Sequence, residues 1–216
     1  MNYARYYIGG IESGEQLINN FERHIELKNK NILDWGCGPA RIIRHFPETI
    51  NNGCKFYGSD YNKITIEWCK KNIKNIAFNN NSLEASLPYD DGFFDVIYGL
   101  SVFTHLSEKL HYDWFLELYR VLNKNGILYL TTQGDNFKNK MTDEELIEYN
   151  KGNIIVRGNV LEGHRTYSAF HPNEFMIKLF NKVEIVEHIV TKPIEGWIPQ
   201  DIWIVKKSNI NKKPTH

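Results

Sequence analysis

The sequence predicts an α/β domain, a mostly parallel sheet with helices on both faces. Three observations predict it. Short apolar runs alternate with amphipathic stretches along the chain. The first buried run, Asn31-Ile32-Leu33-Asp34-Trp35, ends in a glycine-punctuated turn, Gly36-Cys37-Gly38. With 42% hydrophobic and 24% charged residues over 216 positions, the chain can bury one core of ordinary size.

The elements follow in order. Ser13 and Gln16 make a capping-box arrangement, and Leu17, Phe21 and Ile25 form an apolar stripe, so a helix is expected over 13–28. Strand 31–35 follows, and Pro39 opens a helix over 39–46. Residues 55–60 read as the second strand, 62–74 as a helix and 76–79 as a short third strand. The fourth strand is expected at 94–99. Ser107 caps a helix running to Leu122. Asn125-Gly126 is a turn before the fifth strand, 127–132. Residues 133–170 are polar and glycine-rich, and Thr142 with Glu145 suggests one short capped helix in them. So long an irregular insert is usually functional. Pro172 opens a helix over 172–181. Strands 183–190 and 201–206 are expected to pair antiparallel. Residues 208–216 read as a flexible tail, which leaves 1–207 as a single domain.

Composition excludes several classes. There are 26 basic and 26 acidic residues, so a generic nucleic-acid binder is a poor reading. No apolar stretch approaches the roughly 18–20 residues of a membrane span, and MNYARYYIGG lacks the apolar centre of a signal peptide. Cys37, Cys54 and Cys69 lack metal-type spacing. A cytoplasmic protein without a metal is expected.

The turn Asp34-Trp35-Gly36-Cys37-Gly38-Pro39-Ala40-Arg41 is the strongest local signal. Its two glycines allow close approach of a ligand to the backbone. A dinucleotide fingerprint would carry a third glycine where Arg41 stands, and no Gly-Lys-Ser/Thr of a P-loop follows. Asp34 suits a cationic amine better than a pyrophosphate. Asp60 ends the second strand, 22 residues beyond Gly38, where a carboxylate can accept both ribose hydroxyls. The pair reads as a nucleoside site without phosphates.

From Ile32 to Lys206 the sequence resembles the class I S-adenosylmethionine-dependent methyltransferases. ILDWGCGPAR resembles their glycine-rich motif, with Asp34, Gly36, Gly38 and Arg41 in place. FYGSDYN resembles the second motif, with Asp60 as ribose acid and Tyr61 beside it. The run from Asn81, Ser82 and Leu83 to Asp95 is similar to the segment that brackets adenine, with Asn81 where an Asp is common. Ser101-Val102-Phe103-Thr104-His105-Leu106 resembles the segment lining the methionine end, and RVLNKNGILYLTT the family's fifth-strand motif. The resemblance implies S-adenosyl-L-methionine as cofactor and a seven-stranded Rossmann-like sheet of order 3-2-1-4-5-7-6 with the last strand antiparallel. Cofactor contacts are expected from Asp34, Gly36, Gly38, Arg41 and Asp60, and from Tyr61, Asn81, Ser82, Leu83 and Ser101. SVFTHL, the Tyr167–His171 run and Gln200-Asp201 further resemble small methyltransferases of bacterial glycan or secondary-metabolite clusters.

Ligands of open α/β sheets bind at the carboxyl edge of the strands. That edge is expected to hold His105, Gln133 and, at the start of the antiparallel strand, Gln200 and Asp201. The insert adds His164, Arg165, Tyr167 and His171. Gln133, Tyr167 and Gln200 are expected to bind the acceptor. A hydroxyl acceptor benefits from a general base and a carboxylate acceptor needs none. His171 is the favoured base, with His105 and Asp201 as the other catalytic candidates. Each has a second reading: His105 orders the loop over the cofactor, His171 caps a helix, and Asp201 pairs with a nearby cation. His24, His45, His111 and His188 are assigned no role. Residues 1–28 are expected to close over the cofactor and 133–170 over the acceptor. The expected reaction is O-methylation of a small polar metabolite, a sugar or sugar nucleotide, with no nucleic-acid or membrane partner. The alternatives are N-methylation of a similar acceptor and a non-catalytic cofactor-binding scaffold.

Overall fold

A computed structural model describes residues 3–50, 52–158, 163 and 167–208. Its centre is a seven-stranded sheet. The strands and helices, in chain order, are α1 (Tyr3–Glu22), β1 (Asn31–Trp35), α2 (Phe46–Thr49), β2 (Lys55–Asp60), α3 (Lys63–Asn72), β3 (Ile76–Asn80), β4 (Phe94–Gly99), α4 (Glu108–Val121) and β5 (Leu122–Thr132). Then come α5 (Asp143–Asn150), β6 (Ile155–Arg157), β7 (Ser168–Phe170), α6 (Asn173–Leu179), β8 (Glu184–Ile189) and β9 (Asp201–Lys206). The sheet order is β3-β2-β1-β4-β5-β9-β8, with β6 and β7 forming a separate two-stranded sheet. Setting that pair aside, this is the expected Rossmann-like order. β9 runs antiparallel to β5, pairing Asp201 with Thr132.

The central strands are apolar on both faces because both faces are covered. Leu33, Trp35, Ile97, Leu128 and Trp203 pack with Trp114 and Leu118 of α4 and Phe175 of α6. The alternate residues Ile32, Val96, Tyr98, Ile127 and Ile204 pack with Leu17 and Phe21 of α1 and with Phe46. Fully burying each such aliphatic or Phe side chain is worth about 1.5–3 kcal/mol.

Several boundaries differ from the sequence reading. The first helix runs over Tyr3–Glu22 rather than 13–28. Ser13 is not its cap: its hydroxyl donates to the Gly9 carbonyl one turn earlier (2.6 Å). The Gly9-Gly10 pair lies inside the helix for a tertiary reason. A Cβ on Gly10 would stand 2.4 Å from the Arg41 carbonyl oxygen, so glycine lets α1 press onto the first loop. No continuous helix spans 39–46. Ala40 has a left-handed φ of 54°, which interrupts it, and a 3-10 turn (Ile43–His45) leads into the short α2. β5 begins at Leu122 and carries the Asn125-Gly126 turn within it, Asn125 at φ 65°. Asn62 and Ser107 cap α3 and α4 through side-chain oxygens that accept from Thr65 N and Leu110 N.

The insert is more ordered than its composition suggests. Thr142 and Glu145 form the expected capping box on α5. β6 and β7 pair antiparallel, with Ile155 opposite Phe170. His164 and Arg165, and the tail from residue 209, lie outside the described residues. Among the described residues no helix is long and apolar enough to cross a membrane.

Candidate cofactor and acceptor site

The site starts where β1 ends. Gly36 N and Cys37 N both donate to the Ser59 carbonyl, at 2.7 and 3.0 Å, which clamps the first loop onto the end of β2. Gly36 has φ 78°, and a Cβ there would stand 2.3 Å from Val102 Cγ2, so position 36 admits no side chain. Gly38 N donates to Asp60 Oδ2 (2.9 Å), and Asn62 N donates to Asp60 Oδ1 (2.8 Å). Each carboxylate oxygen thus holds one backbone donor and keeps a lone pair for a second. Burial pushes the Asp34 carboxyl up to about 7, against the pull of Tyr98 and Arg41.

A cavity of about 180 Å³ opens above this edge. Gly36, Asp60, Tyr61, Asn81, Ser82, Leu83, Trp114, His105 and Gly163 are among the residues that line it. Ser59 donates to Asn81 Oδ1 (2.6 Å), and the Asn81 amide donates to the Ser82 carbonyl (2.7 Å). The insert reaches the cavity through Gly163, whose carbonyl accepts from the Tyr61 hydroxyl (3.0 Å) and whose N–H donates to the His105 carbonyl (3.0 Å).

A second cavity meets the first at Leu100 and Ser101, which line both. It lies between α1, the carboxyl end of β5 and the loop joining β8 to β9. Ser13, Gln16, Arg41, Phe137, Trp197 and Gln200 are among the residues that line it. At the junction Ser101 has a left-handed φ of 60°. It is held there by Ser101 N donating to Thr131 Oγ1 (2.8 Å) and Ser101 Oγ donating to Gln200 Oε1 (2.9 Å). Thr131 Oγ1 donates to the same Gln200 oxygen (2.6 Å).

The expected cofactor residues divide accordingly. Gly36, Asp60, Tyr61, Asn81, Ser82, Leu83 and Ser101 line the first cavity. Asp34 is buried behind the loop, Gly38 acts through Asp60, and Arg41 lines the second cavity instead. Of the expected acceptor residues, only Gln200 lines the second cavity. Gln133 instead binds the β7 segment, donating to Ser168 Oγ (3.1 Å) and the Ala169 carbonyl (3.0 Å). Tyr167 is buried, and its carbonyl accepts from His105.

The favoured base is displaced. His171 is buried and lines neither cavity. Its Nε2 meets His111 Nε2 at 2.9 Å, and His111 Nδ1 donates to the Ser107 carbonyl (2.7 Å). A carbonyl only accepts, so His111 Nε2 is the lone-pair nitrogen and His171 Nε2–H is the donor. Burial, then the neighbouring His111, holds His171 well below the usual imidazole range. His171 pins α4 to the insert, and His111, given no role from sequence, is its partner. Asp201 is likewise buried and accepts from His188 Nε2 (3.0 Å), whose ring stacks on Trp203 at 3.6 Å. Of the three candidate bases, His105 lines the first cavity. Its Nδ1–H donates to the Tyr167 carbonyl (2.7 Å), which leaves the lone pair on Nε2.

Sequence reasoning missed Gln16, Phe137 and Trp197 as cavity residues. Trp197 follows Gly196 in the Pro/Gly-containing loop before Gln200, at the edge already assigned to ligands, and that was the available signal. Phe137 and Gln16 reach the cavity only through tertiary packing.

Residues 33–130 match the protein family described as "Methyltransferase domain". A curated relative, malonyl-[acyl-carrier protein] O-methyltransferase of Legionella pneumophila, is 28% identical over 135 residues, covering 61% of this chain and 46% of that protein. The chain therefore spans about half the length of that relative. Among solved structures, an S-adenosylmethionine-dependent methyltransferase from Methanosarcina mazei superposes with a TM-score of 0.63 at 18% identity, over 88% of this chain and 97% of the other. A protein from Pyrococcus horikoshii superposes with a TM-score of 0.64 at 17% identity, over 93% and 91%. At such identities the superpositions show the fold alone. The match over 33–130 and the superpositions show a methyltransferase domain match on the fold of S-adenosylmethionine-dependent methyltransferases, and they support S-adenosylmethionine as the cofactor. The lining of the first cavity is compatible with that group: Asp60 keeps a lone pair on each oxygen, Gly36 and Asn81–Leu83 line the same space, and the Asp34 carboxyl is buried behind the loop.

Proposed function

We propose that the chain transfers the cofactor's methyl group to an oxygen of a small polar metabolite, such as a sugar or sugar nucleotide of surface-glycan or natural-product assembly. One observation carries the reading. Two cavities, one lined by Asp60 and one with mixed polar and aromatic walls, meet at Leu100 and Ser101. Methyl transfer from a sulfonium is an in-line displacement, so much of its acceleration comes from aligning two bound partners across such a junction. Ser13, Gln16 and Thr191 offer hydrogen bonds to a hydroxylated acceptor, and Trp197 offers a ring face. Oxygen is favoured over nitrogen because no carboxylate lines the second cavity, among the described residues, to hold an ammonium. The relative's name as an O-methyltransferase supports the same choice. A crystal structure with S-adenosylhomocysteine tests the reading. The ribose should sit on Asp60 and the sulfur at the Leu100–Ser101 junction. A sulfur turned away from the second cavity would overturn it.

A further inference from the structure

The second cavity has a one-sided chemistry. Arg41 is the only charged side chain among its described lining residues. Its guanidinium makes no ion pair among the described residues and lies over the Tyr6 ring at 5.9 Å. Gln200 adds an amide whose oxygen is engaged. Its Oε1 is already taken by two hydroxyls, those of Ser101 and Thr131, at 2.9 and 2.6 Å. Its two amide N–H groups have no protein partner among the described residues, and Gln200 lines the second cavity. The Arg41 guanidinium and the Gln200 amide therefore line a space that holds no carboxylate and no histidine among its described residues. Of the three expected bases, His171 and Asp201 are buried elsewhere and His105 lines the first cavity only.

We propose that the second cavity receives an acceptor bearing a carboxylate, held by Arg41 and Gln200, and that a carboxylate oxygen is the group methylated. The inference rests on the methyl-transfer reading above and names the acceptor class for that site. A carboxylate oxygen attacks the methyl carbon with a lone pair and forms the new C–O bond. The S–C bond breaks, and its electron pair goes to sulfur, which loses its positive charge. The products are a neutral methyl ester and S-adenosylhomocysteine. No proton moves, so no base is required. A guanidinium and an amide match the charge and acceptor geometry of the ionised substrate. They bind the neutral ester less well, which favours product release.

The test uses the full chain saturated with S-adenosylhomocysteine and three matched probes: 3-phenylpropanoate, 3-phenylpropan-1-ol and 3-phenylpropylamine. Calorimetry should show the carboxylate binding at least about tenfold more tightly than either of the others, the scale of a charge-assisted contact. Arg41→Gln should bring the three within about threefold of one another, and Arg41→Lys, which keeps the charge, should retain part of the preference. Affinity of both variants for S-adenosylhomocysteine should stay within about threefold of the parent's. Equal binding of the three probes by the parent, tighter binding of the alcohol or amine, or no measurable binding of the carboxylate overturns the inference. So does a tenfold loss of S-adenosylhomocysteine affinity in Arg41→Gln, because Arg41 would then serve the cofactor. If the parent fails to bind S-adenosylhomocysteine at all, it is the methyl-transfer reading that falls.

Discussion

Replacing Asp60 by alanine should cut cofactor affinity while leaving the fold in place. The carboxylate ends β2 and holds Gly38 N on one oxygen and Asn62 N on the other, at 2.9 and 2.8 Å. One lone pair on each oxygen remains for the two ribose hydroxyls. A hydrogen bond to a charged group is worth about 1.5–3 kcal/mol. Loss of one such bond, with water serving the other hydroxyl, gives a floor of about 1.5 kcal/mol, or about tenfold. Loss of both at the lower value gives about 3 kcal/mol, or about 150-fold. The two backbone donors freed by the change border an open cavity and can be hydrated. The expected stability loss is therefore the modest one of a pair of solvated hydrogen bonds, about 1 kcal/mol. Isothermal calorimetry with S-adenosylhomocysteine measures the first effect and a melting curve the second. An affinity within about threefold of the parent's, with an unchanged melt, would refute the assignment of Asp60 as the ribose acid.

Two further outcomes concern titration. Asp34 has its carboxyl pushed up to about 7 by burial, so near neutral pH it is partly protonated, and a bound cationic amine favours the ionised form. Cofactor affinity should therefore rise with pH through about 7, with proton release visible as a buffer-dependent heat. A pH-independent affinity between about 6 and 8 would remove Asp34 from the cofactor's neighbourhood. His171 is held neutral in the folded protein, and the unfolded chain takes up that proton below about 6.5. Its lowered value makes the folded state lose stability as pH falls. His171→Leu removes the donor to His111 Nε2 and should be destabilised at pH 7.5, but the gap to the parent should narrow towards pH 5 by up to about 1.4 kcal/mol per pH unit. A constant gap would mean that His171 is not kept neutral by burial.

The sheet and most of the lining of the first cavity were legible in the sequence because each rests on local chemistry. Strand period, the Gly36/Gly38 turn and the spacing to Asp60 lie within 29 residues of one another, and the parallel crossover brings their ends to one edge. The capping boxes show where that logic holds and where it stops. Thr142 and Glu145 behave as their spacing implies. Ser13 and Gln16 have equivalent spacing, yet they sit inside a helix, because Gly10 packs against the Arg41 backbone far along the chain. Histidine roles were not legible for a related reason. An imidazole's function depends on which groups meet its two nitrogens and whether a cavity reaches it, and both depend on side-chain packing. His171 and His105 look alike in sequence. The tertiary structure gives one a buried histidine partner and the other a place on the wall of the first cavity. It alone decided that Arg41 and Gln200 share a cavity, because α1, the first loop and the β8–β9 loop converge only after the sheet has closed its order.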